Sequence, residues 1–316
     1  MRAKYQPLPD AAAAGREACT VVIVSYRTGP LLIDCLRAAL IQEGVDKVVL
    51  VDNGNSVRIQ REIDAFAAAF DHLHVLRGHG NVGFARGCNL GVREASAGHV
   101  LLLNPDCVLR PGVVRRGLDV LADHPEADAL TVRIENCDGS EQRGSRRRLM
   151  TPWTCFVEQL RLDRFLPNDP RFERVNLNDT EPLSCVTPVE CISGAFMLMP
   201  RAAYERVGGM DEDYFLHVED VDLCLRIRRA GGTILYVPDV AVTHLKGSSR
   251  VFPLVIEWHK WISASKYFRK HFRRQYPEVV LRLMSVALFL RFGARAVPIA
   301  VGWASRRVAS RPRRDR

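Results

Sequence analysis

Three carboxylates fall within four positions at Glu219-Asp220-Val221-Asp222, the densest acidic cluster in the chain. Like charges this close repel unless a cation or a proton relieves them, which marks the cluster as a candidate functional site. A helix explains part of it. Val221, Cys224, Leu225 and Ile227 follow at helical spacing, Arg226, Arg228 and Arg229 fill the last turn, and Gly231 suits a C-cap. Acids at the amino end and arginines at the carboxyl end complement the helix dipole by roughly 0.3–1 kcal/mol each. That accounts for one or two acids more readily than for three. A further acid, Asp106, closes Val100-Leu101-Leu102-Leu103-Asn104-Pro105-Asp106. Four apolar residues in a row predict a strand buried on both faces in the centre of a parallel sheet, and Pro105 cannot continue the ladder. Asp106 then sits just past a strand's carboxyl end, where open α/β sheets bind ligands. A carboxylate there suits a metal or a hydroxyl-rich ligand, with a plain Asn-Pro-Asp turn as the alternative. His244 ends Val240-Ala241-Val242-Thr243 in the same way, and neutral imidazole binds divalent metals readily.

The elements that must position these groups alternate between strand and helix. Thr20 to Val24 is a β-branched run with Ser25-Tyr26 at its carboxyl end, and Leu31 to Leu40 repeats at helical spacing behind Pro30. Lys47 to Val51 is a second buried strand, closed by Asp52-Asn53-Gly54. A helix over 58–70, a strand over 72–76, a helix from Phe84 to Ala95 and another from Pro111 to Leu121 continue the pattern, with a strand over Ala129 to Ile134. Strand, helix, strand implies parallel pairing with right-handed crossovers. Between the third strand and its helix, Gly78-His79-Gly80-Asn81-Val82-Gly83 matches Gly-x-Gly-x-x-Gly. That is the dinucleotide fingerprint in letters, yet it opens a later unit of the sheet than the fingerprint normally does; tight turning is the simpler explanation. Residues 141 to 190 predict loops and short helices, with Arg143, Arg146, Arg147 and Arg148 able either to clamp a phosphate or to face solvent. Cys191 to Pro200 is apolar around Ser193-Gly194-Ala195, Gly208-Gly209-Met210-Asp211 is a loop, and Thr233 to Val237 is a strand ending at Pro238.

The chain of 316 residues is 47% hydrophobic, ordinary for a globular protein. Nine cysteines, widely spaced and without a Cys-x-x-Cys pair, argue against a disulfide framework and a zinc site. Residues 1–18 read as a flexible leader without an apolar signal core. The net charge of +9 is concentrated late, in Arg269, Lys270, Arg273, Arg274 and then Arg306, Arg307, Arg311, Arg313, Arg314 and Arg316. Trp258, Trp261, Tyr267 and Phe268 are interleaved with basic residues, and Val279 to Trp303 is apolar but cut by Arg282, Arg291, Arg295 and Pro298. Its longest charge-free run, Leu283 to Leu290, is far below the ~20 residues that span a bilayer. The expectation for 251–316 is a basic amphipathic helical arm resting on an anionic membrane rather than on nucleic acid; an ordinary core-packing helix is the alternative.

Together these stretches resemble the family 2 glycosyltransferases of GT-A fold, and within them the bacterial rhamnosyltransferase-like branch. The resemblance rests on Val22-Ile23-Val24-Ser25-Tyr26, Val51-Asp52-Asn53-Gly54, Gly80-Asn81-Val82-Gly83-Phe84-Ala85-Arg86-Gly87-Cys88-Asn89-Leu90-Gly91 and Leu103-Asn104-Pro105-Asp106. It continues through Ser193-Gly194-Ala195, Gly208-Gly209-Met210-Asp211, Glu219-Asp220-Val221-Asp222-Leu223 and His244, so it covers about residues 19 to 250. It implies an α/β fold with a mostly parallel central sheet: a nucleotide-sugar-binding half over 19–110 and an acceptor-binding, catalytic half over 111–250 of one GT-A domain. It implies that Ser25, Tyr26, Asp52 and the Gly83 loop hold the nucleotide, with Asp52 accepting from the pyrimidine ring. Asp106 and His244 would hold Mg²⁺ or Mn²⁺ at the donor diphosphate, and Asp220 would be the general base. Glu219 and Asp222 would tune that base upward by like charge or hold its loop, and Ser193 would lie near the sugar. Asn104 stands where many relatives carry an acid; it can bond a ribose or a metal-bound water but weakens metal affinity on charge grounds.

The implied reaction is inverting transfer of a sugar, rhamnose favoured, from a dTDP- or UDP-sugar to a hydroxyl of a lipid-linked saccharide in cell-surface polysaccharide synthesis, in the cytoplasm at the inner face of the membrane. Two other readings compete: a Rossmann-type oxidoreductase binding NAD or FAD at Gly78 to Gly83, and a non-catalytic protein docking through its basic arm.

Overall fold

The computed structural model describes residues 17–165, 169–178, 180–247 and 251–309, without the side chains of Pro170 and 300–309. Nearly all of the expected leader, Ser248-Ser249 and the last four arginines lie outside the described residues. The chain divides into two units, one of residues 1–149, 174–213 and 219–250, the other of 150–173, 214–218 and 251–316.

The first unit is built on β1 (Cys19–Ser25), β2 (Val45–Asp52), β3 (Leu73–Leu76), β4 (His99–Leu103), β5 (Cys107–Leu109), β6 (Ala127–Glu135), β7 (Arg146–Arg147), β8 (Thr187–Pro188), β9 (Cys191–Ile192), β10 (Phe196–Pro200) and β11 (Thr233–His244). Its main sheet has the order β3-β2-β1-β4-β10-β6-β11-β5, with β8 added antiparallel to β11. The helices are α1 (Leu31–Leu40), α2 (Val57–Ala67), α3 (Phe84–Arg93), α4 (Val113–Asp123), α6 (Arg201–Arg206) and α7 (Glu219–Arg229). The sheet is mostly parallel, as expected. Because β1, β2, β4, β6 and β11 all run the same way, their carboxyl ends fall on one edge. Tyr26, Asp52, Asn104 and His244 are therefore delivered to a single rim, although 26 and 244 are more than 200 positions apart.

Two expectations change in the structure. Val100 to Leu103 is buried on both faces, but β4 has a parallel neighbour only on one side; β10 pairs with it antiparallel. Pro238 does not end a strand either. β11 runs through it to His244, and its register on β6 slips between Val237 and Ala241, an irregularity that lets the unpaired proline bulge out while the ladder resumes.

Packing of α3 onto the sheet depends on two residues without side chains. A Cβ on Gly87 would lie 2.6 Å from Val24 Cγ1, and one on Gly91 2.3 Å from Val22 Cγ1. In sequence these glycines are four apart, so they share one helix face and let it sit directly on β1. The glycine loop ahead of α3 has positive φ at Gly78, Gly80 and Gly83, which explains those residues as turn formers.

The second unit is helical: α5 (Pro152–Leu160), α8 (Pro253–Phe272) and α9 (Glu278–Ala309). Thr151 opens α5 with a reciprocal capping box to Thr154. Helices α8 and α9 form an antiparallel pair in which Trp261 Nε1 donates to Ser285 O at 3.0 Å and the Ser265 and Ser285 hydroxyls meet at 2.9 Å. No helix among the described residues is long and apolar enough to cross a membrane.

In a helix a methyl for a hydrogen at glycine ordinarily gains up to about 1 kcal/mol. At Gly91 the clash with Val22 reverses the sign, and Gly91→Ala lowers unfolding free energy by about 1–3 kcal/mol. At Gly98, where nothing lies within 4 Å, the same change stays within about 0.5 kcal/mol. Urea midpoints at constant slope check both; a Gly91→Ala protein as stable as its parent contradicts the close packing.

Candidate active site

The turn Ser193-Gly194-Ala195 joins the groups that the sequence singled out. Gly194 N donates to Asp220 Oδ2 at 3.1 Å, while Ala195 O accepts from Asn104 N at 3.0 Å and from Cys107 Sγ at 3.4 Å. The Ser193 hydroxyl accepts from Ala195 N at 3.3 Å and so shapes the turn itself. A Cβ on Gly194 would lie 3.4 Å from Asp220 Cβ and 3.8 Å from Phe84 Cε1. Asp220, Ser193, Asn104 and the head of α3 thus converge on one place.

On the far side of Asn104 lie Asp106 and His244. His244 Nε2 is 3.1 Å from Asp106 Oδ1 and 3.3 Å from Asn104 Nδ2. Its other nitrogen, Nδ1, faces Gln142 Oε1 at 2.7 Å. Gln142 Nε2 donates to Asn136 Oδ1 and to His244 O, both at 3.0 Å, which orients the amide so that Oε1 must accept from Nδ1–H. Nδ1–H is thus committed to Gln142, and Nε2 is the nitrogen that faces Asp106. A carboxylate oxygen beside an imidazole nitrogen is a donor set that suits a divalent ion. Gln142 would serve as the outer partner that metal-binding histidines require. Cys107 is close enough to join Asp106 and His244 around an ion, but burial pushes its thiol well above its ordinary range and Sγ already donates to Ala195 O. The pair Asp106 and His244 is the better donor set.

At the end of the rim formed by β1 and β2, Ser25 and Asp52 are buried and Tyr26 is half-buried. Asp52 Oδ1 accepts from Gly54 N at 3.0 Å, Asn55 N at 2.9 Å and Asn55 Nδ2 at 2.8 Å, and Oδ2 pairs with Arg77 Nε at 3.1 Å. Asn55 also bonds the Ser25 hydroxyl. Asn53 spans from the end of β2 to the glycine loop, Nδ2 donating to Gly83 O at 3.0 Å and Oδ1 meeting His79 Nε2 at 3.0 Å. The Tyr26 ring lies against Gly54, whose Cβ would be 3.5 Å from it, and the Arg27 guanidinium lies over the ring, 5.1 Å from its centre.

The acidic cluster separates into three roles. Asp220, 17% exposed, is paired with Arg147 Nη2 at 2.6 Å, and that guanidinium also donates to Ile192 O. Burial would raise its carboxyl, but the Arg147 charge and the hydrogen bonds from Arg147, Gly194 N and Val221 N hold it below the usual carboxylate range. Glu219 takes the opposite course. Burial, then the Asp220 charge, push it up to about 8, and its Oε2 has no hydrogen-bond partner. Like-charge repulsion thus raises Glu219 rather than Asp220, because the arginine sits on Asp220. Asp222 is fully buried on Arg226 Nε at 2.6 Å, and Arg226 Nη1 holds the glycine loop through Gly209 O at 2.7 Å. Of the four arginines offered as a phosphate clamp, Arg147 is committed to Asp220 and Arg146 to Glu141 at 2.9 Å.

Gln142, Asn55 and Arg77 were not singled out by sequence, and Arg147, expected on a phosphate or in solvent, pairs with Asp220 instead. Arg147 stood in a basic run with no mark to distinguish it, and its partner is 73 positions away.

A family model described as glycosyltransferase like family 2 matches residues 16–276. The chain belongs to this glycosyltransferase family. Among its relatives, the N-acetylglucosaminyl-diphospho-decaprenol L-rhamnosyltransferase of Mycobacterium tuberculosis (strain CDC 1551 / Oshkosh) is 32% identical over 241 residues, 72% of this chain and 76% of the relative. Rhamnosyltransferase WbbL of Escherichia coli (strain K12) is 24% identical over 248 residues, 76% of this chain and 88% of WbbL. The fold is that of the mannosyltransferase PcManGT of Pyrobaculum calidifontis, solved with GDP-Man and Mn²⁺, at TM-score 0.56 and 16% identity over 95% of this chain and 77% of that one. It also matches GalNAc-T7, solved with UDP, GalNAc and Mn²⁺, at TM-score 0.56 and 15% identity over 80% of this chain and 51% of that one. This family 2 enzyme is an inverting glycosyltransferase, and the match leaves the oxidoreductase reading without support.

Two pH responses follow. Removing the cation beside Asp220 raises the pKa of that carboxyl, so Arg147→Gln moves its titration, read by carboxyl NMR, to higher pH, with circular dichroism confirming the fold; an unmoved titration contradicts the pairing. For Glu219 the folded carboxyl binds its proton more tightly than the unfolded one, so stability falls as pH rises from about 4.5 towards 8. Glu219→Gln removes that loss: relative to wild type it is more stable at the alkaline end of this window than at the acidic end, read from melting temperatures.

Proposed function

We propose that this glycosyltransferase moves L-rhamnose from a dTDP- or UDP-activated donor to a hydroxyl of a lipid-linked saccharide during synthesis of a cell-surface polysaccharide. In this reading it works in the cytoplasm, peripherally at the inner face of the membrane. The observation that carries the chemistry is the shared turn: Gly194 N holds Asp220 while the next residue's carbonyl holds Asn104. Proton acceptor and donor-side groups are thereby fixed to one piece of backbone. The name of the M. tuberculosis relative supports rhamnose and a lipid-diphosphate acceptor.

Residues 19–110 supply the nucleotide side, with Ser25, Tyr26, Asp52 and Gly83 around the pyrimidine nucleoside and Asn104 towards the ribose. Residues 111–250 supply Asp220, Ser193 and His244. Asp106 and His244 would hold Mg²⁺ or Mn²⁺, and the ion would supply Lewis-acid stabilisation of the charge on the departing diphosphate. The acceptor hydroxyl attacks the anomeric carbon from the face opposite the diphosphate, the C–O bond to phosphate breaks towards phosphate, and the hydroxyl proton passes to Asp220. Back-side attack inverts the centre. Arg147 keeps Asp220 ionised and aimed, so the carboxylate is ready to accept at neutral pH; as the new bond forms the hydroxyl becomes acidic enough to give up its proton. Such base catalysis is typically worth ~10²–10⁴ in rate.

A donor screen that measures nucleoside diphosphate release, with and without EDTA, tests this. dTDP-L-rhamnose should turn over fastest and EDTA should suppress it. Asp220→Asn should lower kcat by at least ~10² with donor binding retained. Full turnover by that variant, or a melting temperature raised by NAD or FAD and not by pyrimidine nucleotide plus metal, contradicts the proposal.

A further inference from the structure

The aromatics of α8 are the residues that the sequence offers to a membrane, and the structure spends most of them inside the helical unit. Tyr267 and Phe268 are buried, and Trp261 packs on Phe289 at 4.9 Å between ring centres. Trp258 remains 41% exposed, and the more exposed residues form a different row. On α9, Val279, Leu283, Val286, Leu290 and Val297 are each more than half exposed, at 62%, 64%, 53%, 66% and 67%. Their spacing of four, three, four and seven places them on one side of the helix. The opposite side, with Leu281, Met284 and Phe292, packs on α8. Helix α9 is thus apolar on two faces and covered on one. In the same unit α5, which packs against α9, leaves Trp153, Phe156 and Leu160 exposed at i, i+3 and i+7.

Charge indicates what covers the outer row. At 100° per residue, Arg282 falls about 70° to one side of the row's centre and Arg291 about 110° to the other side, further round the helix. Residues 251–316 hold fifteen Lys and Arg against three Asp and Glu, a surplus larger than the +9 of the whole chain, so residues 1–250 are slightly acidic. Pairing of α9 with a second copy would bring arginine-rimmed rows together; the acid on α9's first turn, Glu278, already pairs with Arg282 at 3.1 Å. A coiled-coil partner needs opposite charges along such a seam. A surface of lipid phosphates meets both demands, taking aliphatic side chains between acyl chains and arginines at the headgroups. The row from Val279 to Val297 is about 27 Å long at 1.5 Å per residue, and lies along the helix rather than across it.

We propose that the outer row of α9, rimmed by Arg282 and Arg291, is the surface by which this enzyme lies on an anionic phospholipid bilayer. It deepens the lipid-linked reading above and rests on it only for the reason the enzyme visits a membrane. The test is flotation of the full chain with vesicles of phosphatidylcholine, or of phosphatidylcholine mixed with phosphatidylglycerol. Wild type should float with the anionic vesicles, less so in high salt. Leu283→Glu/Leu290→Glu, and separately Arg282→Gln/Arg291→Gln, should each weaken binding at least ~10-fold, while release of nucleoside diphosphate with a water-soluble acceptor stays unchanged. Wild-type binding by the glutamate variant, absence of vesicle binding by wild type, or a wild-type dimer in sedimentation velocity that the glutamate variant converts to monomer overturns the docking surface. Failure of turnover with the soluble acceptor in wild type would instead count against the sugar-transfer reading.

Discussion

A single backbone turn carries the site. Gly194 gives its N–H to Asp220, and Ala195, one residue on, gives its carbonyl to Asn104. From there β10 runs antiparallel against β4, so the turn is held by a full strand of sheet hydrogen bonds on the side of Asn104. The turn lies close against both neighbours, since a Cβ at 194 would already meet Asp220 and Phe84 at van der Waals contact distance. The sheet fixes one end of the chemistry and passes that fixity through one hydrogen bond to the other.

The electrostatics are organised around the same point. A carboxylate as enclosed as Asp220 costs several kcal/mol unless paired, and Arg147 supplies the pairing. Removing one partner of an enclosed pair typically costs about 3–5 kcal/mol, largely because the other charge is stranded. The pair therefore says little about net stability and much about the ionisation state of Asp220. Glu219, next in sequence but without a cation, keeps its proton into the neutral range. Adjacent carboxyls end with opposite protonation, the arrangement by which a site keeps one group basic without accumulating charge.

How much of this was legible in the sequence varies with the range of the interaction. The strands announced themselves through β-branched and apolar runs, and the rim followed from parallel order, so Asn104, Asp106 and His244 could be placed near one another from the sequence alone. Helix α7 was readable from its dipole-matched charges. The partners were not readable. Gln142 holds His244 across 102 positions and Arg147 holds Asp220 across 73; no periodicity links such pairs. Local rules also misled where tertiary structure overrode them. Pro238 signals a strand end, yet β11 absorbs it in an irregular register because β6 offers pairing on both sides of the slip. The aromatics of α8 look interfacial, yet Tyr267 and Phe268 are buried and Trp261 packs on Phe289, while α9 turns its own aliphatic row outward.

The central claim is that one rim holds a cation at Asp106 and His244, one turn away from the carboxylate of Asp220. Anomalous diffraction from crystals grown with Mn²⁺ and a pyrimidine nucleoside diphosphate tests it most directly. The account predicts one manganese peak bonded to Asp106 Oδ1 and His244 Nε2, with Nδ1 still on Gln142 and the diphosphate on the same ion. A manganese bound elsewhere, or a diphosphate seated away from this rim, contradicts it.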